Sequence, residues 1–258
     1  MSVRPKKFLG QHFLKDAATA AQIVSFLSPH AKNILEIGPG KGILTQFLFQ
    51  KKNCEVKIIE IDNEAIQHLL KIFLRRKQEI IQGDFLEMNL QGIFGKPFSI
   101  IGNFPYNISS QILFRALENK DKVEEVIGMF QKEVAERIVS PPGNRDYGIL
   151  SVFVQAFYDV EIVMTLNEED FSPPPKVKSA VIRLRRNRQN KLMSDEKIFF
   201  RVVKTAFNQR RKKLSNALSS LIQKNNQATY PYLDLRAEAL SWKQFDELAL
   251  LIGKTHPV

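Results

Sequence analysis

The stretch Asn33-Ile34-Leu35-Glu36-Ile37-Gly38-Pro39-Gly40-Lys41-Gly42 decides the fold class. A short apolar run closed by a glycine-rich turn reads as a buried strand, and Ile43 to Gln50 reads as the helix that follows it. Glycine gives the turn its tightness and lets a ligand approach the backbone closely. The spacing is not the dinucleotide pattern G-x-G-x-x-G, because the third glycine comes one residue early.

Outward from this turn the same alternation continues. Asp16 to Leu27 has helical apolar spacing through Ala17, Ala20, Ala21, Val24 and Leu27. Val56 to Ile61 reads as a strand, with Asp62 capping a helix from Glu64 to Leu74. Ile80 to Gln82 is a third strand ending at Gly83-Asp84, and Phe98 to Gly102 a fourth ending at Asn103. A helix at Ser109–Leu117, a strand at Glu125–Phe130 and a helix at Gln131–Val139 follow. Tyr147–Ala156 and Val160–Leu166 continue the pattern, and Ala180–Leu184 is a last strand. Alternating strands and helices predict an α/β, Rossmann-like parallel sheet covered on both faces. Ligands then bind at the carboxyl ends of the strands, where the glycine turn, Glu60, Asp84 and Asn103 all fall.

Composition shifts near residue 186. Arg183, Arg185, Arg186, Arg188 and Lys191 read as a basic linker. Beyond it Phe199, Val203 and Phe207 share one helical face and Leu214, Leu218 and Leu221 another, with a break near Asn208-Gln209. Ser241 opens a last helix. The expected organisation is a catalytic domain at 1–188, with a basic arm at 1–15, and a small all-helical domain at 189–258.

The 258 residues carry a net charge of +11, and the pI of about 9.7 gives the chain an electrostatic reason to meet a polyanion. No apolar run approaches the roughly 18 residues of a membrane span, and no apolar signal core follows the basic stretch Met1–Lys7. The expectation is a cytoplasmic protein without a membrane partner. Cys54 is the one cysteine, so neither a disulfide framework nor a cysteine zinc site is available, and no metal is expected.

Glu60 can accept hydrogen bonds from both hydroxyls of a ribose. Asp84, followed by Phe85, can accept from an adenine amine with an apolar neighbour against the ring. Together they describe an adenosine nucleoside across strand ends. Glu36, close before the turn, is a poor neighbour for a diphosphate, which favours S-adenosyl-L-methionine over NAD. Asn103-Phe104-Pro105-Tyr106 then suits methylation of an exocyclic adenine amine. That nitrogen is a weak nucleophile until two acceptors draw its hydrogens and return its lone pair. The Asn103 side-chain oxygen and the Phe104 carbonyl, restrained by Pro105, are the candidates. Tyr106 offers a ring to a base turned out of its strand.

The chain resembles the ribosomal RNA adenine dimethyltransferase family. The resemblance rests on Phe8-Leu9-Gly10-Gln11-His12-Phe13-Leu14, Glu36 to Leu44, Ile59 to Asp62, Gly83-Asp84, Gly102 to Ser109, Gln131 to Val134, Phe171 to Ser179 and Ala206 to Lys212. It implies a class I S-adenosylmethionine-dependent methyltransferase, with S-adenosyl-L-homocysteine as the spent donor. It also implies that His12 and Leu14 line the donor site, Gly38 approaches the methionine part, Glu60 holds the ribose, Ile61 lies beside the adenine, Asp84 meets its amine and Asn103 lies between donor and acceptor. Phe171, held by Pro173 to Pro175, is implied as a second ring against the target base, the other reading being a core phenylalanine. The family pattern has leucine where this chain has Phe104, and often asparagine at His12.

The implied reaction places two methyl groups on N6 of each of two adjacent adenosines in the 3′-terminal hairpin loop of 16S rRNA. The implied partner is the pre-30S small subunit, met by a monomer. Residues 186 to 258 carry 14 Lys and Arg against 6 Asp and Glu, densest at Arg210 to Lys213, and Arg4, Lys6, Lys7 and Lys15 form a second basic patch. Such charge positions RNA through its phosphates. Two alternatives remain open: an Erm-type methyltransferase of 23S rRNA, and a mainly non-catalytic small-subunit assembly factor.

Overall fold

A computed structural model describes residues 3–188, 191–222 and 230–255. Met1 and Ser2 of the expected arm, and the expected domain start at 189, lie outside these. In chain order the strands are β1 (Phe13–Leu14), β2 (Asn33–Ile37), β3 (Glu55–Glu60), β4 (Ile80–Gln82), β5 (Phe98–Asn103), β6 (Val123–Gln131), β7 (Tyr158–Leu166), β8 (Phe171–Ser172) and β9 (Ser179–Arg186). The helices are α1 (Ala17–Ser25), α2 (Thr45–Leu48), α3 (Asn63–Ile72), α4 (Gln91–Phe94), α5 (Ser109–Glu118), α6 (Lys132–Val139), α7 (Ile149–Phe157), α8 (Glu196–Asn208), α9 (Leu214–Ala217) and α10 (Trp242–Thr255).

The main sheet has seven strands in the order β4-β3-β2-β5-β6-β9-β7. Strands β4 through β6 in that order are parallel, and β9 runs antiparallel to β6. The chain lays β3 and β4 on one side of β2, then returns to place β5 on the other. A crevice therefore opens between the carboxyl ends of β2 and β5, the switch point of an open α/β sheet. Consecutive Ile34 and Leu35 are both fully buried, as expected of a central strand covered on both faces.

Local signals act largely as read. The Asp62 carboxylate accepts from the Glu64 amide at 2.9 Å and starts α3, whose inner face buries Ala65, Ile66 and Leu69. Ser241 and Gln244 exchange cap hydrogen bonds before α10. The expected helix at 43–50 shrinks to α2. The last strand is longer than expected, so Arg183, Arg185 and Arg186 belong to β9 and not to a linker. Arg183 Nη2 pairs with Glu161 at 2.5 Å, and Arg185 Nε with Glu125 at 3.7 Å. Two of the arginines expected in a basic linker are thereby engaged in the sheet.

The chain separates into two compact units, 1–135 with 161–186, and 136–160 with 187–258. The second takes in 136–160, which the sequence reading had grouped with the sheet. Its interior is aromatic: Phe153 meets Phe200 edge-on at 4.4 Å, and Phe207 lies 5.9 Å from Phe245. Asp246, 1% exposed, accepts from the Met193 and Ser194 amides at 2.7 and 3.0 Å and so ties the approach to α8 onto α10. Among the described residues no helix is long and apolar enough to cross a membrane.

Candidate active site

A cavity of about 200 Å³ lies in the crevice, lined by Leu9 to Phe13, the β2 turn, Ile59 to Ile61, Gly83 to Leu86 and Asn103 to Ile108. No lysine or arginine is among its lining residues. Gly40 sits at φ 57°, a left-handed conformation suited to glycine, and a Cβ there would lie 2.7 Å from the Phe13 ring.

Glu60 is 4% exposed. Its Oε1 accepts from the Ile61 and Asp62 amides, both at 2.9 Å, and its Oε2 from Gly40 at 3.0 Å. Burial raises its pKa against the opposing pull of these amides. Three of roughly four acceptor directions are thus used. Glu60 holds the turn together and keeps about one direction for a ligand, fewer than the two hydroxyls read from sequence. Asp84 is half-buried and accepts from the Leu86 amide at 2.8 Å through Oδ1, while Oδ2 has no partner among the described residues. Ile61 remains 51% exposed at the rim.

Glu36 corrects the sequence argument. It is 1% exposed, bonded to Thr45 Oγ1 at 2.6 Å, and lies behind the turn rather than on the cavity. Burial pushes its pKa up to about 8, helped by the charge of Glu60. The folded chain therefore holds a proton that an unfolded carboxyl, at 4.5, releases. Folded stability from this group is complete below that value and falls as pH rises toward 8, by up to about 1.4 kcal/mol per unit. Glu36→Gln is expected to flatten urea-measured stability across this window, with Glu60 leaving a smaller residual slope of the same sign.

Asn103 ends β5. Its Nδ2 donates to the His12 carbonyl at 2.7 Å, which fixes the amide and leaves Oδ1 as the available acceptor. The Phe104 carbonyl accepts no hydrogen bond among the described residues. The Phe104 ring is 1% exposed and lies edge-on to Phe130 at 5.5 Å. A Cβ on Gly128 or Gly102 would come within 2.4 or 2.7 Å of that ring, so the two glycines make the room that phenylalanine needs there. Tyr106 bonds Ser179 Oγ at 2.5 Å and stacks on His12 with centroids 5.5 Å apart. Burial raises the Tyr106 pKa. His12 Nδ1 lies 2.8 Å from the Pro173 carbonyl, so that nitrogen carries the hydrogen.

Two expected site residues are elsewhere. Phe171 is 1% exposed and packs in the apolar core with Leu14, Leu166 and Val181. It does not line the cavity, and its ring faces no open space for a base. Leu14, 4% exposed, pairs with it across β1 and β8 and likewise lies off the cavity. The two apolar side chains of this short pairing satisfy each other.

A clamp unseen in the sequence completes the site. Lys6 Nζ and Gln11 Nε2 both bind the Asp62 carboxylate, the latter at 3.2 Å. The Asp62 pKa stays below the ordinary range because these partners and the Glu64 amide outweigh the effect of burial. Lys6 and Asp62 are 56 positions apart with no motif joining them, so the sequence carries no signal for the contact. Among the described residues no cluster of His, Cys, Asp or Glu is placed to hold a metal ion.

A family model described as ribosomal RNA adenine dimethylase matches residues 3–249. A ribosomal RNA small subunit methyltransferase A from Cytophaga hutchinsonii is 51% identical, over 98% of this chain and 99% of the relative. A dimethyladenosine transferase structure from Plasmodium falciparum superposes with a TM-score of 0.77 at 24% identity, covering 95% of this chain and 98% of its own. The 23S rRNA methyltransferase ErmE superposes with a TM-score of 0.66 at 26% identity, covering 92% and 99%.

Proposed function

The chain belongs to the ribosomal RNA adenine dimethylase family, and from that premise we propose that it transfers methyl groups from S-adenosyl-L-methionine to N6 of two adjacent adenosines in the 3′-terminal hairpin loop of 16S rRNA. The observation that carries the chemistry is the end of β5. The Asn103 amide nitrogen is spent on His12, so its oxygen and the unpaired Phe104 carbonyl are the two acceptors for the amine hydrogens. Drawing those hydrogens returns lone-pair density to nitrogen, and the geometry is fixed before the substrate arrives. Tyr106, with one face on His12, offers its other face to the flipped base, and Pro105 restrains the carbonyl between them.

The cavity fits the donor. Its carboxylates, Glu60 and Asp84, and its lack of lysine and arginine suit a cation and disfavour a diphosphate. When bound, the donor supplies a methyl group already activated by its sulfonium. Gly38 and His12 would lie along it, Glu60 would hold the ribose through its remaining acceptor direction, Ile61 would cover the adenine, and Asp84 Oδ2 would take the adenine amine.

The sheet-bearing unit, 1–135 with 161–186, is assigned the donor and the chemistry, and the helices beyond residue 188 the contact with RNA in the pre-30S subunit. Arg211 and Lys212 are exposed and form no ion pair among the described residues, while Arg210 and Lys213 are partly neutralised by Glu238 and Asp234 at 3.6 and 3.2 Å. The acting form in this reading is a monomer in the cytoplasm. Incubating under-methylated small subunits with labelled donor should place label in N6,N6-dimethyladenosine of 16S rRNA. Label in 23S rRNA, or none, would overturn the assignment.

A further inference from the structure

Phe8 is 78% exposed, more than any other large apolar side chain among the described residues. A lone exposed apolar residue is ordinary on a loose tail, but this one sits on a fixed turn. The Leu9 and Gly10 amides donate to the Lys6 and Lys7 carbonyls at 3.1 and 3.0 Å, and Gly10 closes the turn at φ 64°. On one side the Arg4 amide bonds Glu64 at 3.1 Å and Val3 is buried against Phe13 and Ala65. On the other, Lys6 and Gln11 are held by Asp62. The backbone is thus tied down on both flanks while the ring is left in solvent.

The place is the lip of the cavity, since Leu9 and Gly10, the next two residues, line it. The Arg4 and Lys7 side chains, on the same arm of the chain, are exposed and form no ion pair among the described residues. Among the residues lining the cavity the one exposed large apolar side chain is Ile61, and two such residues make less than the contiguous patch that marks a protein or membrane interface. A single rigid aromatic face between uncompensated cations matches the chemistry of a single-stranded nucleic acid, in which bases stack and phosphates are neutralised.

We propose that Phe8 is a stacking platform for an unpaired base of the substrate RNA next to the base that enters the cavity, with Arg4 and Lys7 on the adjoining phosphates. This rests on the reading of the substrate as RNA. Every base has a π-face, so the contact holds the loop open beside the target without reading its sequence.

The test compares Phe8→Ala, Phe8→Leu and Phe8→Trp in the full chain, using under-methylated small subunits and labelled donor. Loss of one base stack is expected to raise the KM for subunits about tenfold in the alanine and leucine variants, with tryptophan restoring it. The kcat and the Kd for S-adenosylhomocysteine should stay near the wild-type values. An unchanged KM in Phe8→Ala, full rescue by leucine, or a parallel loss of S-adenosylhomocysteine binding would each overturn the proposal. Wild-type protein that fails to methylate the subunits would instead sink the functional reading itself.

Discussion

Asn103→Ala is expected to lower kcat for methyl transfer by about 10²–10³-fold, the cost of removing one preorganised polar group from a transition state. The side-chain oxygen is one of the two acceptors proposed for the amine, and the remaining carbonyl of Phe104 cannot align a base alone. Binding of S-adenosylhomocysteine should weaken by no more than about tenfold, as for one lost hydrogen bond. Asn103→Asp separates the two duties of the residue. It keeps an acceptor but cannot donate to the His12 carbonyl, now 2.7 Å from Nδ2, and should lose activity through misplacement. Steady-state kinetics with calorimetric titration decides. An alanine variant within about threefold of wild type in kcat would remove Asn103 from the chemistry.

Glu60→Ala is the second large effect, and it reaches both stability and ligand. Three amides, of Gly40, Ile61 and Asp62, lose their acceptor at once. Each buried unsatisfied amide costs about 1–3 kcal/mol. Relief of the burial that raises the Glu60 pKa offsets part of this, for a net loss of about 3 kcal/mol. The variant should also show no thermal stabilisation by S-adenosylhomocysteine, where wild type shows a clear shift. Glu60→Gln keeps an oxygen for Ile61 and Asp62 but turns an NH₂ toward the Gly40 amide, so it should fall between the two. A Glu60→Ala protein that is as stable as wild type and still responds to the ligand would show that the carboxylate neither ties the turn nor holds the ribose.

Much of this was legible from sequence because the relevant signals are local. The run from Asn33 to Gly42, the Asp62 cap and the strand ending at Asn103 each depend on neighbours a few residues away. Residues that a strand end delivers to the crevice, Glu60, Asp84 and Asn103, were therefore placed correctly. The site residues that fall elsewhere do so because of where their side chains point. Leu14 follows Phe13 of the cavity wall, but it and Phe171 turn into the core and pair with each other. Glu36 directly precedes Ile37 of the cavity wall but is itself buried on Thr45. Arg183 and Arg185, read as a basic linker, meet Glu161 and Glu125 on neighbouring strands. The Lys6, Gln11 and Asp62 clamp joins distant segments through ordinary polar residues, and only tertiary structure brings it into view.

The bond between His12 and the Pro173 carbonyl closes over 161 positions, and the same residue fixes Asn103 through its own carbonyl. The His12 segment is therefore held by partners far from it in the chain. During synthesis the glycine turn and its carboxylate can assemble early, but the acceptor pair at β5 is not buttressed from both sides until the proline loop has emerged. The transfer site thus depends on a contact that the glycine turn and its carboxylate do not need.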